Sequence, residues 1–324
     1  VQKPAPFAKE YSKNRTHRVK GTVIKSTGSW YKVVAEGVLY SARTRGKLRL
    51  DERDTSNPVA VGDLVTIEPD PQYPETAQIT RIEPRRNYIV RKSNKLSSKR
   101  QVIASNIDLA IMVASVVAPR TSMGFIDRFL VCCEAFHIPA AIFFNKVDLL
   151  TEDGLEFLAA ITQIYQQAGY TVLHGSAVNP DDVNEVRQFV QGKTVLFSGH
   201  SGVGKSTLLN SLYPNSAAKV GSISESHEKG KHTTTFAEMH LQEDGTKIID
   251  TPGIRDFGVV DVPETEIGQY FPEFRKYSLQ CKFNDCQHTN EPGCAIKESV
   301  ENGDISDARY YSYRSILSGE DVFD

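Results

Sequence analysis

The run Thr194-Val195-Leu196-Phe197-Ser198 leads into Gly199-His200-Ser201-Gly202-Val203-Gly204-Lys205-Ser206-Thr207, an apolar segment followed by G-x-x-x-x-G-K-S. This composition suits a phosphate-binding loop. Its glycines let successive backbone N–H groups turn toward one anion. Lys205 offers a point charge to the β- and γ-phosphates, and the Ser206 hydroxyl can ligate Mg²⁺. Leu208, Leu209 and Leu212 then follow at helical spacing, so a helix begins near Lys205 and adds its positive end to the site. The plain alternative is a strand-to-helix turn with incidental glycines, but such a turn does not also call for Lys-Ser.

A second apolar run, Ala140-Ala141-Ile142-Phe143-Phe144, ends in Asn145-Lys146-Val147-Asp148. N-K-x-D suits guanine: the Asp148 carboxylate can accept from the ring N1–H and the exocyclic amine, a pair adenine lacks. Lys146 can lay its stem over the base, and Asn145 can tie this loop to the phosphate loop. A buried carboxylate left unpaired against adenine costs roughly 1–3 kcal/mol, which is enough to discriminate. After the short strand Thr171-Val172-Leu173 comes Ser176-Ala177, where a backbone N–H can meet the guanine O6. Downstream, Lys247-Ile248-Ile249 runs into Asp250-Thr251-Pro252-Gly253, a D-x-x-G. Asp250 is placed to hold the Mg²⁺ shell through water, and the Gly253 N–H to touch the γ-phosphate. Between them, Gly230-Lys231-His232-Thr233-Thr234-Thr235 occupies the position of a first switch. One of its threonines should supply a hydroxyl to Mg²⁺; Thr234 is taken for the site, with Thr233 and Thr235 left open.

The order of these parts is unusual. An ordinary GTPase places its phosphate loop first and N-K-x-D last, whereas here residues 145–148 and 176–177 precede residues 199–206, and residues 250–253 come last. The chain reads as circularly permuted, which is tolerated where the original termini lie close together. The second switch then feeds directly into the C-terminal segment. That segment carries Cys281-x4-Cys286-x-His288-x5-Cys294, three thiols and an imidazole amid Asn284, Asp285, Asn290, Pro292 and Gly293. Four such ligands with no open position make a structural tetrahedral Zn²⁺ site. A disulfide would leave one of the three cysteines over. Cys132 and Cys133, by contrast, sit inside a helical pattern and read as core thiols.

The permuted order, G-H-S-G-V-G-K-S-T, G-K-H-T-T-T, D-T-P-G-I-R and the Cys/His cluster together resemble the circularly permuted GTPase family, specifically its small-ribosomal-subunit-dependent bacterial assembly factors. The likeness spans nearly the whole chain. It implies a GTPase stimulated by the small ribosomal subunit, with an N-terminal OB-fold and a C-terminal zinc domain.

The elements that must position these residues fit a multidomain α/β chain. At 324 residues and 40% hydrophobic content there is material for two or three cored domains. Residues 1–100 hold 21 Lys and Arg against 10 Asp and Glu, and the rest hold 17 against 30. Such a split suits a basic nucleic-acid face joined to an acidic body. Residues 1–17, with Lys3, Lys9, Lys13 and Arg15, read as a basic disordered tail, or plainly as a solvated one. Residues 18–84 alternate short strand-like pieces with turns, which fits a small β-barrel of OB type. There Trp30 and Tyr31 can stack on bases, although alternation buries at least one of them. Arg43, Arg45, Lys47 and Arg49 can meet phosphates. Residues 85–100 form a basic connector, 101–260 the permuted P-loop GTPase domain with alternating strands and helices, and 261–324 a helical zinc-binding domain.

The start of the sequence carries no signal-peptide h-region, and the longest apolar run, residues 109–118, is far short of the ~20 residues of a membrane span. The expectation is therefore a cytoplasmic monomer without membrane partners. Where many GTPases carry a water-orienting Gln after the D-x-x-G glycine, this chain has Ile254, so intrinsic hydrolysis should be slow. His232, then His227, are candidates to replace it, with the partner as a third source; Arg255 can stabilise phosphate charge but better suits a switch salt bridge. Two other functions stay open: a GTPase acting on another RNA such as tRNA or serving translation, and an RNA-binding scaffold with structural GTP.

Overall fold

The computed structural model describes residues 18–46, 58–92, 100–214, 237–250 and 262–319, without the side chains of 91, 92, 100, 101 and 250. The N-terminal strands are β1 (Val19–Ser26), β2 (Tyr31–Ala35), β3 (Val38–Thr44), β4 (Leu64–Pro69) and β5 (Thr76–Ile82). They pair in the order β1-β2-β3-β5-β4, and β1 also pairs with β4, so the sheet closes into a five-stranded barrel. The period-2 pattern sends Val19, Val23, Val33, Val65, Ile67 and Ile79 into one barrel core. Tyr31 joins them at 2% exposure, while Trp30 is 41% exposed. Alternation thus buries one of the two aromatics, as expected.

The segment read from sequence as a plain basic connector contains structure. β6 (Tyr88–Lys92) and β7 (Arg100–Ser105) form an antiparallel ribbon, because Ile89, Val90, Val102 and Ala104 have a core to enter.

The central strands are β8 (Leu109–Ala114), β9 (Ala140–Phe144), β10 (Thr171–His174), β11 (Thr194–Ser198), β12 (Glu238–Leu241) and β13 (Lys247–Asp250). They are ordered β10-β9-β8-β11-β13-β12, parallel except for β12, which runs antiparallel to β13. Every residue of β8 and β11 is buried, as a parallel sheet covered on both faces requires. The covering helices are α1 (Met123–Ala135), α2 (Glu152–Gln167), α3 (Pro180–Val190) and α4 (Lys205–Leu212). α1 and α2 fill one face with Phe129, Leu130, Leu158 and Ile161; α3 and α4 fill the other with Val183, Val186, Leu208 and Leu209. Ser122, Thr151 and Asn179 cap the first three helices through their side-chain oxygens. Cys132 and Cys133 are buried in α1, and burial pushes the Cys132 thiol up to about 12, so both are core groups.

The C-terminal module holds a 3-10 segment (Glu264–Tyr270), α5 (Pro272–Tyr277), α6 (Ala295–Glu301) and α7 (Asp307–Ser318). Phe271, Phe274, Ile296 and Tyr313 make its small core, which also takes Val131 from α1. No helix among the described residues is long and apolar enough to cross a membrane.

Candidate functional site

The nucleotide-site residues gather at the carboxyl ends of β9, β10 and β11, where open α/β sheets bind ligands. Residues 199–204 turn between β11 and α4, with Gly202 at φ 86° and Gly204 at φ 92°. A Cβ at Gly204 would lie 2.2 Å from Asn145 Nδ2, so only glycine fits at this αL position. The crowding has a purpose. Asn145 Nδ2 donates to the Val203 carbonyl at 2.8 Å, and its Oδ1 accepts from the Ala177 N–H at 2.8 Å. One buried amide therefore ties the phosphate loop, the N-K-x-D loop and the Ser176-Ala177 turn together, across sequence separations of 58 and 32 residues.

Lys146 is held at φ 68°, and its ammonium donates to the carbonyls of Gly202 and Ala118. The loop after β8 thus forms a further wall of the site, which the sequence reading missed because Ala118 contributes only its backbone. Asp148 lies exposed in the turn Val147–Leu149. The Ser176 N–H goes to Asp182 Oδ2 at 2.7 Å. With the Ala177 N–H bonded to Asn145, the next donor of this turn, the Val178 N–H, has only a 3.5 Å contact to Ser176 Oγ. His200 stacks on Phe125 of α1 with ring centroids 3.6 Å apart, and burial lowers its pKa. Lys205 and Ser206 open α4, half-buried beside the turn, while Ser201 and Thr207 are exposed. Asp250 ends β13, next to β11 in the sheet. His227, His232, Thr233, Thr234, Thr235, Gly253, Ile254 and Arg255 lie outside the described residues.

In the C-terminal module, the ligand atoms of Cys281, Cys286, His288 and Cys294 all fall within 4.8 Å of one another. His288 Nδ1 lies 3.6 Å from Cys281 Sγ and 3.4 Å from Cys294 Sγ. Zn–S of about 2.3 Å and Zn–N of about 2.0 Å in a tetrahedron place sulfur and nitrogen roughly 3.5 Å apart, so the donor set fits zinc. Burial, then the neighbouring thiols, push Cys286 up to about 12, while burial keeps His288 in its neutral, ligating form. A dication reverses the penalty on the thiolates. His288 sits at φ 55°. Its loop is held by Glu291, whose carboxylate accepts from the N–H groups of Gln287, Thr289 and Asn290 at 2.9, 2.8 and 3.0 Å. Partial burial opposes ionisation of Glu291, but these donors hold it at about 2. Tyr310 and Tyr313 donate to the carbonyls of His288 and Gln287, at 2.6 Å each.

The barrel offers a third surface. A cavity of about 700 Å³ is lined by Arg18, Lys20, Arg45 and Arg81 among others. Nearby on the barrel, the Arg43 guanidinium lies 3.7 Å over the Trp30 ring. Lys47 and Arg49 lie outside the described residues.

This fold, with its N-K-x-D loop preceding its phosphate loop, defines a circularly permuted P-loop GTPase. Comparison with known proteins agrees. A family profile described as RsgA GTPase matches residues 82–260, and one described as RsgA N-terminal domain matches residues 20–73. The small ribosomal subunit biogenesis GTPase RsgA of Bacteroides fragilis is 47% identical over 304 residues, 94% of this chain and 97% of that one. Its counterpart in Christiangramia forsetii is 47% identical over 305 residues, again 94% and 97%. Among solved structures, YjeQ from Thermotoga maritima superposes with a TM-score of 0.77 at 30% identity, covering 94% of this chain and 98% of that chain. YloQ, described as a circularly permuted GTPase, gives 0.72 at 29% identity, with 95% and 97% coverage. The chain belongs to the RsgA GTPase family and is a GTP hydrolase.

Proposed function

We propose that this GTPase works in the maturation of the small ribosomal subunit, binding that subunit through RNA contacts of its barrel and hydrolysing GTP in response. The observation that carries the nucleotide assignment is the Asn145 amide, bonded at once to Val203 and Ala177. It joins the loop for phosphates to the two loops for the base. The subunit assignment is supported by relatives of 47% identity whose names carry that role. Arg18, Lys20, Arg43, Arg45 and Trp30 supply chemistry suited to RNA.

In this reading Asp148 pairs with the guanine N1–H and amine, the Lys146 stem covers the base, and the turn 176–178 donates an N–H to O6. The N–H groups of residues 199–207 cradle the phosphates, and Lys205 neutralises charge on the β- and γ-phosphates. Ser206, Thr234 and, through water, Asp250 provide the hard oxygen donors that Mg²⁺ prefers. Gly253 offers its N–H to the γ-phosphate, and His232 positions the attacking water. With Ile254 unable to orient water, turnover depends on the subunit. The chain acts as a cytoplasmic monomer.

The test is GTP hydrolysis measured alone and with purified small subunits, large subunits or tRNA. Acceleration by small subunits alone supports the assignment. Acceleration by tRNA alone points to another RNA substrate, and acceleration by nothing points to a scaffold.

A further inference from the structure

The barrel and the nucleotide site belong to different domains, yet one row of paired residues joins them. β1 pairs with β12 at Lys25 opposite Glu238, and the two side chains form an ion pair of 2.8 Å. On its other edge β12 pairs with β13, with Glu238 opposite Asp250. Lys25, Glu238 and Asp250 thus occupy successive positions of one cross-strand row. Like charges at directly opposite positions destabilise a sheet, so a glutamate in register with an aspartate is best tolerated where a cation neutralises one of them. Lys25 pairs with Glu238.

Local geometry aims Lys25 at this role. The register of β1 against β2 shifts between Val23 and Lys25, leaving Ile24 as the extra residue of a bulge. Bulges bend a strand and re-aim its side chains. Here Ile24 packs against the GTPase core while Lys25 reaches β12. Just beyond Lys25 the strand enters a turn, closed by the Thr27 N–H on the Trp30 carbonyl at 2.9 Å. That turn carries Trp30 under the Arg43 guanidinium. RNA that grips Trp30 and Arg43 therefore acts on the strand whose next contact with the GTPase sheet is Lys25 on Glu238.

We propose that Lys25 and Glu238 are positioning residues that relay RNA binding at the barrel tip to Asp250, and so adjust the magnesium shell for hydrolysis. This rests on the subunit-stimulated reading above and on the role given there to Asp250. The pair's side chains are 35% and 29% exposed. Pairs of that kind add little to stability, so substituting them does not threaten the fold.

The experiment measures kcat and KM for GTP on the full chain, with zinc and magnesium supplied, with and without saturating small subunits. It compares the wild type, Lys25→Ala, Glu238→Gln and the exchange Lys25→Glu with Glu238→Lys. Each single substitution is expected to lower the ratio of stimulated to basal kcat by about fivefold or more, with KM for GTP nearly unchanged, and the exchange to restore most of the ratio. Single variants with the wild-type ratio overturn the relay and leave the subunit assignment standing. So does an exchange that rescues nothing, since the loss then does not depend on the ion pair. A wild type that small subunits fail to stimulate overturns the subunit assignment itself, and the relay with it.

Discussion

The barrel and the zinc module are fastened to the GTPase domain by different means. The barrel is joined through backbone. Its β1 pairs with β12 in a continuous sheet, Val61 bridges to Ala104, and the Ser105 N–H donates to the Val61 carbonyl at 2.8 Å. A buried carboxylate completes this joint: Asp63 accepts from Arg85 Nε at 2.7 Å, Arg85 Nη2 at 2.8 Å and Ser105 Oγ at 2.6 Å. The zinc module docks on α1 largely through side chains. Arg309, 1% exposed, reaches Asp127 of α1 at 2.5 Å and Glu273 of α5 at 2.6 Å, under the Phe271 ring. Burial opposes the charge on Arg309, but Asp127 and Glu273 outweigh it and raise its pKa. The barrel joint rests on backbone pairing at a few positions backed by one buried carboxylate, whereas the second rests on a buried charged cluster and an apolar core in a module that also carries the metal site. The two should therefore fail differently.

Zinc removal is the most severe way to separate them. Chelation, or Cys294→Ser, is expected to remove folding energy on the order of 10 kcal/mol from the C-terminal module. Hydrogen exchange should then rise across residues 262–319 while β8, β9 and β11 stay protected. The next largest effect falls on the module's joint. Arg309→Ala leaves Asp127 buried without its cation and should cost about 3–5 kcal/mol in urea unfolding. The barrel joint has a steric counterpart at Gly62, where φ is 91° and a Cβ would lie 2.1 Å from the Ser105 carbonyl oxygen. Gly62→Ala should cost about 3 kcal/mol and loosen the barrel rather than the zinc module, as limited proteolysis would report. The mildest test concerns Glu291, which holds the His288 loop without touching the cluster's four ligand positions. Glu291→Ala should speed zinc loss to a chelator by about tenfold, and Glu291→Gln, which keeps one acceptor oxygen, by less.

Both joints show what the chain's sequence left unreadable. The phosphate loop, N-K-x-D and the zinc ligands were legible because their chemistry needs fixed residue types at short spacing. The tie made by Asn145 was legible as well, since Asn145 lies within such a motif. Arg309 was not. It stands in Arg309-Tyr310-Tyr311-Ser312-Tyr313-Arg314, where periodicity indicates a helix with an aromatic face but does not reveal an acid 182 positions away. The pairing of β1 with β12 was hidden for a related reason: it joins segments 213 residues apart, and strand partners carry no spacing signal. Strand β3 has little signal of its own, because Val38-Leu39-Tyr40-Ser41 lacks clean alternation and Val38 and Leu39 both remain about half exposed. The Ala118 carbonyl under Lys146 was invisible because any residue could supply it.

The central claim is that loops from three separated stretches close into one pocket for guanosine triphosphate. Calorimetric titration of the zinc-loaded chain with magnesium and non-hydrolysable GTP, against the matching ATP analogue, tests it most directly. The account predicts saturable binding at least about 100-fold tighter for the guanosine compound, falling to near equality in Asp148→Ala. Equal affinity of the unaltered chain for both purines, or no heat with either, would contradict it.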